Sequence, residues 1–143
     1  MTRTDRVRIQ AEDFSLADEV QLLQDSSKRI GAIVPFLGIA RDFSGTAEVK
    51  SIEFEEYKGM ALKALKALRE AALEKFDIID LTIVHRVTTV GAGDNIVLII
   101  AASEHRKAAF EACEWTIDKL KETVPIWKKE ITPEGESWVT EHP

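Results

Sequence analysis

The residues best equipped for chemistry in this chain are cationic, and they fall at the ends of elements. Two of the three histidines are each followed by arginine, as His85-Arg86 and His105-Arg106. Arg41 closes the apolar stretch Ile30–Ala40, Lys121 stands near the end of a predicted helix, and Lys128-Lys129 follow seven residues later. Imidazolium, guanidinium and ammonium groups are suited to phosphates and carboxylates, and a lysine with a lowered pKa moves protons near neutrality. The background is acidic, with 19 Lys and Arg against 25 Asp and Glu and a net charge of −6.

Each candidate also has a plainer reading. If Ser103 caps the following helix, His105 and Arg106 occupy its first turn, where a cation opposes the helix dipole at a cost of about 0.3–1 kcal/mol. Glu104 offsets part of that cost. An anion bound to the free backbone N–H groups would explain the pair, and so would a solvated helix start with a surface salt bridge. Lys121 near a helix C-terminus is favourable in itself. Lys128 and Lys129 could guard an edge strand against aggregation. Strand alternation puts Trp127 and Lys129 on one face and Ile126, Lys128 and Glu130 on the other. Cys113 has core spacing, and nothing near it in sequence would make it a reactive thiol. Glu53, Glu55 and Glu56 read as a solvated strand face. Gly91-Ala92-Gly93 reads as a hairpin turn, and the usual phosphate-loop, zinc-protease and nucleophile-elbow motifs are absent.

The elements that must position these residues can be read from periodicity. Val7–Ile9 is a short strand, and Ser15 opens a helix with a capping-box spacing to Asp18. Ile30–Arg41 is a buried strand bent near Pro35 and Gly38, Asp42–Thr46 is a turn, and Val49–Tyr57 is a strand with one wet face. Lys58–Phe76 is a helix with Ala61, Leu65, Leu68, Ala72 and Phe76 on its buried stripe. Ile79–Arg86 is a strand, and Ile96–Ala102 is a central strand covered on both faces. A helix then runs from Ser103 to about Glu122, burying Ala109, Cys113, Ile117 and Leu120 and stopping at Pro125. Ile126–Ile131 is the last strand. This order gives an α+β fold: a single two-layer domain over residues 1–143, with a mainly antiparallel sheet and three main helices.

Composition excludes other classes. The 143 residues are 45% hydrophobic and 31% charged, as expected of a globular chain. Net negative charge argues against nonspecific nucleic-acid binding. One cysteine allows no intrachain disulfide and no multi-cysteine metal site. No apolar run reaches the ~20 residues of a membrane helix, and no signal-peptide pattern opens the chain, so the expected location is the cytoplasm.

Five stretches occur together in order: Gly31-Ala32-x-x-x-Phe36-x-Gly38-x-x-Arg41, Glu56-Tyr57-x-x-Met60-Ala61, His85-Arg86, His105-Arg106-x-x-Ala109-Phe110, and Lys121-x-x-x-Pro125-Ile126-Trp127-Lys128-Lys129-Glu130. In this the chain resembles the large, catalytic subunit family of molybdopterin synthase, over about Val7 to Val139. The resemblance implies an α/β hammerhead type of fold and a sulfurtransferase. Such an enzyme adds two sulfurs to cyclic pyranopterin monophosphate, giving the molybdopterin dithiolene. The sulfurs come from the C-terminal thiocarboxylate of a small ubiquitin-like subunit, whose Gly-Gly tail enters a pocket of the large one. The implied assembly is a heterotetramer around a homodimer of large subunits, with no cofactor and no metal.

The resemblance also implies roles. Lys121 and Lys128 would be catalytic, and crowding by other cations should depress a lysine pKa there. Ile39 and Ala40 through their backbone, with Arg41, His105, Arg106, Lys129 and Glu130, would contact substrate. Phe36, His85, Arg86 and His142 are further positions, and some residues would serve the neighbouring subunit's site. Two departures bear on this. Many relatives have a glycine where this chain has Thr88-Thr89, which bears on the role of His85-Arg86. Some relatives place an arginine near the C-terminus, where His142 is the basic residue here, so a phosphate grip there would depend more on pH. The alternative is a module of the same fold without catalysis, which binds a pterin or phosphate or docks a ubiquitin-like tail.

Overall fold

The computed structural model describes residues 5–44, 47–56 and 59–139. The strands are β1 (Val7–Gln10), β2 (Ala32–Ile39), β3 (Phe43–Ser44), β4 (Ala47–Glu48), β5 (Ser51–Glu56), β6 (Asp80–Arg86), β7 (Thr89–Gly91), β8 (Asn95–Ser103), β9 (Ile126–Thr132) and β10 (Gly135–Val139). The helices are α1 (Leu16–Ser26), α2 (Met60–Lys75) and α3 (Arg106–Thr123). Strands β1-β6-β8-β2 form one sheet, antiparallel except for the β1–β6 pair, and β10-β9-β5-β7 form a second, wholly antiparallel sheet.

The α+β class, the mostly antiparallel pairing and the three helices are as expected. The layering is richer. Helices α2 and α3 cover one face of the first sheet, where Leu65, Leu81, Ile83, Ile99, Ala109 and Cys113 share a core. Helix α1 covers the opposite face, packing Leu23 against Val84, Leu98 and Ile100. Strand β8 is thus shielded on both sides, and the run from Val97 to Ser103 is buried throughout. A third cluster, including Ile52, Phe54 and Val90, joins the second sheet to the end of the first. Burial of apolar surface on this scale, at ~25 cal/mol per Å², is what holds the two sheets together.

Local signals account for most element ends. The Ser15 hydroxyl accepts from the Asp18 N–H at 3.2 Å. Helix α3 stops before Pro125, and its last turn closes through the Val124 N–H on the Leu120 carbonyl at 3.0 Å. Three expectations need correction. The cap of α3 is His105, not Ser103, so only Arg106 lies within the helix. Ser103 is instead the buried last residue of β8, and its hydroxyl donates to the His105 carbonyl. Where a turn was expected over Asp42–Thr46, β3 and β4 pair as a small ladder, with residues 45 and 46 outside the described set. Strand β10 follows the turn at Pro133-Glu134 and was not anticipated. No helix among the described residues is long and apolar enough to cross a membrane.

Candidate active site

A cavity of about 350 Å³ opens where the second sheet meets the end of the first. Its walls come from the end of β2 (Phe36 to Ile39, with Arg41 beyond it), Phe54 of β5, His85 of β6, the start of β8, the last turn of α3 with Lys121, and Ile126 and Lys128 of β9. Most of the wall is apolar, which lowers the local dielectric and strengthens the few charges in it.

The geometry follows from the sequence around Pro125. Because α3 ends at Thr123 and the chain turns directly into β9, Lys121 in the last turn and Lys128 on the strand line the same cavity. Register with β5 pairs Phe54 with Lys128, so both side chains leave the second sheet on the pocket side. On β2, the pairing with β8 shifts between Gly38 and Ile39. A side chain at Gly38 would strike Val97 Cγ1, so glycine permits the close approach of the two strands. Beyond the shift, Ile39 sits at the rim, 49% exposed. The end of β2 is then fixed by two bonds to the turn after β7: the Ala40 N–H donates to Asp94 O at 2.9 Å, and the Gly93 N–H donates to Ala40 O at 2.8 Å. Gly93 supplies the positive φ, +88°, that this turn requires.

The electrostatics distinguish the two lysines from surface ones. Burial pushes the Lys121 ammonium below the usual lysine range, Arg41 adds to the effect, and Asp118 opposes it. Burial does the same to Lys128, opposed by Glu130 and reinforced by Lys121 and Arg41. The direction is the one expected from crowding, but burial is the larger cause. His85 is buried, with Nδ1 2.7 Å from the Arg86 carbonyl oxygen and its ring edge-on to Phe54 at 5.4 Å. Burial brings its pKa down to about 4.

The structure therefore brings Phe36, Ile39, Arg41, His85, Lys121 and Lys128 to one cavity. Glu130 is buried on the same strand face and acts on the site through Lys128. Ala40 is buried beside it, with both backbone groups already engaged as described. The rest lie elsewhere. Arg86 donates to the carbonyls of Ala11 and Asn95, each at 3.1 Å, and so fastens the segment after β1 to the start of β8. Lys129 sits on the opposite face of β9, 4.8 Å over the Trp138 ring and 3.5 Å from Glu136. His105 and Arg106 are exposed at the far end of α3, about 22 Å from Lys121 at 1.5 Å per residue. There Arg29 pairs with Glu104 at 2.6 Å. His142 is outside the described residues. Sequence reasoning missed Phe54 and the apolar wall from α3, since their shared destination depends on strand register and helix packing. Cys113 is buried, its thiol pushed up to about 11. Among the described residues, no group of three or more His, Cys, Asp or Glu is placed to hold a metal ion.

Residues 9–123 match the family model described as MoaE protein. The chain belongs to the MoaE family of molybdopterin synthase catalytic subunits. It is 41% identical to the molybdopterin synthase catalytic subunit of Pyrococcus abyssi, over 90% of this chain and 85% of the relative. Against the subunit of that name from Ralstonia nicotianae it is 42% identical, over 93% of this chain and 76% of the relative. The solved molybdopterin synthase structure from Staphylococcus aureus superimposes with a TM-score of 0.87 at 33% identity, covering 97% of this chain and 100% of that one. Membership in the MoaE family gives the cationic pocket a chemical context.

Proposed function

We propose that the protein is the catalytic half of a molybdopterin synthase, the one that holds the pterin while sulfur is added to it. In this reading it transfers two sulfurs from the C-terminal thiocarboxylate of a small ubiquitin-like subunit to cyclic pyranopterin monophosphate. The observation that carries the proposal is the convergence of Arg41, Lys121 and Lys128 on one largely apolar cavity in an acidic chain. Substrate phosphate and donor thiocarboxylate are both anionic, and they meet only where cations offset their repulsion.

For each transfer, the thiocarboxylate sulfur bonds to a side-chain carbon of the pterin and a carbon–oxygen bond at that carbon breaks. In one transfer the cyclic phosphate's ester oxygen leaves, opening that ring with the phosphate kept on the product, and in the other a carbonyl oxygen leaves as water. Water then adds to the acyl carbon, the acyl–sulfur bond breaks, and the partner leaves as a carboxylate with the sulfur retained on the product. Lys121 steadies the tetrahedral adduct at the acyl carbon and moves its proton. Lys128 holds the pterin and assists ring opening. Arg41 takes the phosphate. A lowered lysine pKa suits both proton transfers. This chain needs neither a bound cofactor nor a cysteine of its own, and Cys113 is out of reach in the core.

His105 and Arg106 cannot reach their own chain's cavity, so in this reading they complete the site of a second copy in a homodimer. One small subunit at each end would make the heterotetramer, with the Gly-Gly tail entering the cavity. The test is reconstitution: this chain, a thiocarboxylated small subunit and cyclic pyranopterin monophosphate, with dithiolene product followed by mass spectrometry. Product from the wild type supports the reading. A stable complex with the partner but no product would leave a docking module instead.

A further inference from the structure

His85 lines the cavity, and the reaction as proposed gives it no task. Its Nδ1 lies 2.7 Å from the Arg86 carbonyl oxygen. A carbonyl only accepts, so Nδ1 carries the proton. Burial keeps the ring neutral at physiological pH. A neutral imidazole protonated on Nδ1 has a bare lone pair on Nε2. That atom has no hydrogen-bond partner among the described residues. The ring is also held still: Phe54 packs edge-on against it, and Arg86 is anchored by the carbonyls of Ala11 and Asn95.

The charged side chains of the cavity wall, Arg41, Lys121 and Lys128, offer hydrogen-bond donors when protonated. Donors hold the anionic parts and acceptor atoms of a ligand, but they give no partner to an edge of a heterocycle that carries N–H groups. Only an acceptor supplies that partner, and a buried acceptor left unpaired penalises the wrong orientation. We propose that His85 Nε2 is a hydrogen-bond acceptor for the heterocycle, taking a ring N–H or amino N–H of the pyranopterin and so fixing which way round it lies. The assignment rests on the pterin reading of the cavity given above. His85 is thereby a specificity-determining residue that takes no part in sulfur transfer.

The first test uses the wild-type chain labelled with ¹⁵N-histidine, in complex with a small subunit that carries no sulfur. Free, the His85 Nε2 resonance should be of the unprotonated type and Nδ1 of the protonated type. Adding cyclic pyranopterin monophosphate should move Nε2 and leave Nδ1 protonated. A protonated Nε2 in the free protein, or an Nε2 unmoved by saturating pterin, overturns the assignment. The second test is kinetic. His85→Asn keeps a donor for the Arg86 carbonyl but has no atom at the Nε2 position, whereas the His85→Gln oxygen reaches it. His85→Asn should raise KM for the pterin about tenfold with kcat nearly unchanged, and His85→Gln should restore most of that loss. Affinity for the small subunit should not move in either variant. An unchanged KM in folded His85→Asn, or equal losses in folded Asn and Gln variants, overturns the proposal. If either variant fails to fold, the wild-type spectrum decides. Wild-type turnover separates the two readings: product with a silent Nε2 removes the acceptor alone, whereas a shifted Nε2 without product removes sulfur transfer alone.

Discussion

Helix α3 carries cations at both ends, and its ends sit in different physical worlds. At the C-terminal end, Lys121 is half-buried beside Arg41 and Lys128, and its pKa is lowered mainly by loss of water. At the N-terminal end, His105 and Arg106 are exposed, next to an Arg29–Glu104 pair whose side chains are 73% and 44% exposed. An ion pair so open to solvent is worth about 0–1 kcal/mol. Residue type and spacing are similar at the two ends. What separates them is convergence with desolvation, which gives one end chemical leverage by itself and leaves the other dependent on whatever packs against it.

Removing the leverage at the buried end should have the largest effect. Lys121→Ala should lower product formation about 100-fold or more while the circular dichroism spectrum and partner affinity stay as they are. Near-normal turnover would break the comparison at its strong end. Lys128→Met should also lose activity, by about tenfold or more, and should raise the melting temperature. The sign follows from the lowered pKa. The folded state binds this proton less tightly than the unfolded chain, so the charged lysine weakens folding at pH values below its folded pKa. The penalty fades as pH rises through that value towards 10.5, and the stability gain of the variant should shrink over the same range. A gain that does not shrink would mean burial is not the cause.

The exposed end gives an intermediate effect that depends on assembly. Arg106→Ala should lower turnover about tenfold if a second copy's cavity uses it. Mixing equal amounts of Lys121→Ala and Arg106→Ala chains should then restore about a quarter of the wild-type activity, because about half of the randomly paired dimers are mixed and each of these regains one intact site of its two. Mixed dimers as inactive as their parents would leave Arg106 a surface residue. His85 sharpens the comparison by stability alone. The ordinary histidine pKa is 6.5 and the buried ring's is about 4, so the unfolded chain takes up a proton first as pH falls. Stability from the neutral ring, on the order of 3 kcal/mol, is complete above pH 6.5 and is lost between 6.5 and about 4. Chemical denaturation of wild type and His85→Gln across that window should show the wild type losing more. The smallest effect belongs to Lys129, which sits over Trp138 away from the cavity: Lys129→Ala should change turnover less than about threefold.

Much of this was legible in the sequence, for identifiable reasons. Period-two alternation placed Lys128 and Trp127 on opposite faces of a strand, and the structure puts Lys128 in the cavity wall with Trp127 50% exposed. The apolar run before Ser103 read as a strand covered on both sides because nothing in it tolerates water. Other features turn on groups far apart in the chain. Arg86 reads like half of a His-Arg site until its carbonyl partners are known, and Ala11 lies 75 residues away. Strand β10 has mostly exposed side chains, so it leaves no burial pattern to read. The cap of α3 was misplaced because Ser103 has a side chain suited to capping, yet β8 holds it two residues too early.

The cavity lies on the seam between two sheets, and this has a consequence for folding. Its walls include Phe36 and Lys128, far apart along the chain, and β2 and β9 belong to different hydrogen-bonded ladders. Contacts of such long sequence separation carry the largest loop-closure cost and are late to be secured. The two lysines therefore lose their water only when the second sheet docks. A chain that has built its first sheet but not its second holds ordinary, fully charged lysines and no pocket, so the cavity and the lowered lysine pKa values arrive together as one of the last events of folding.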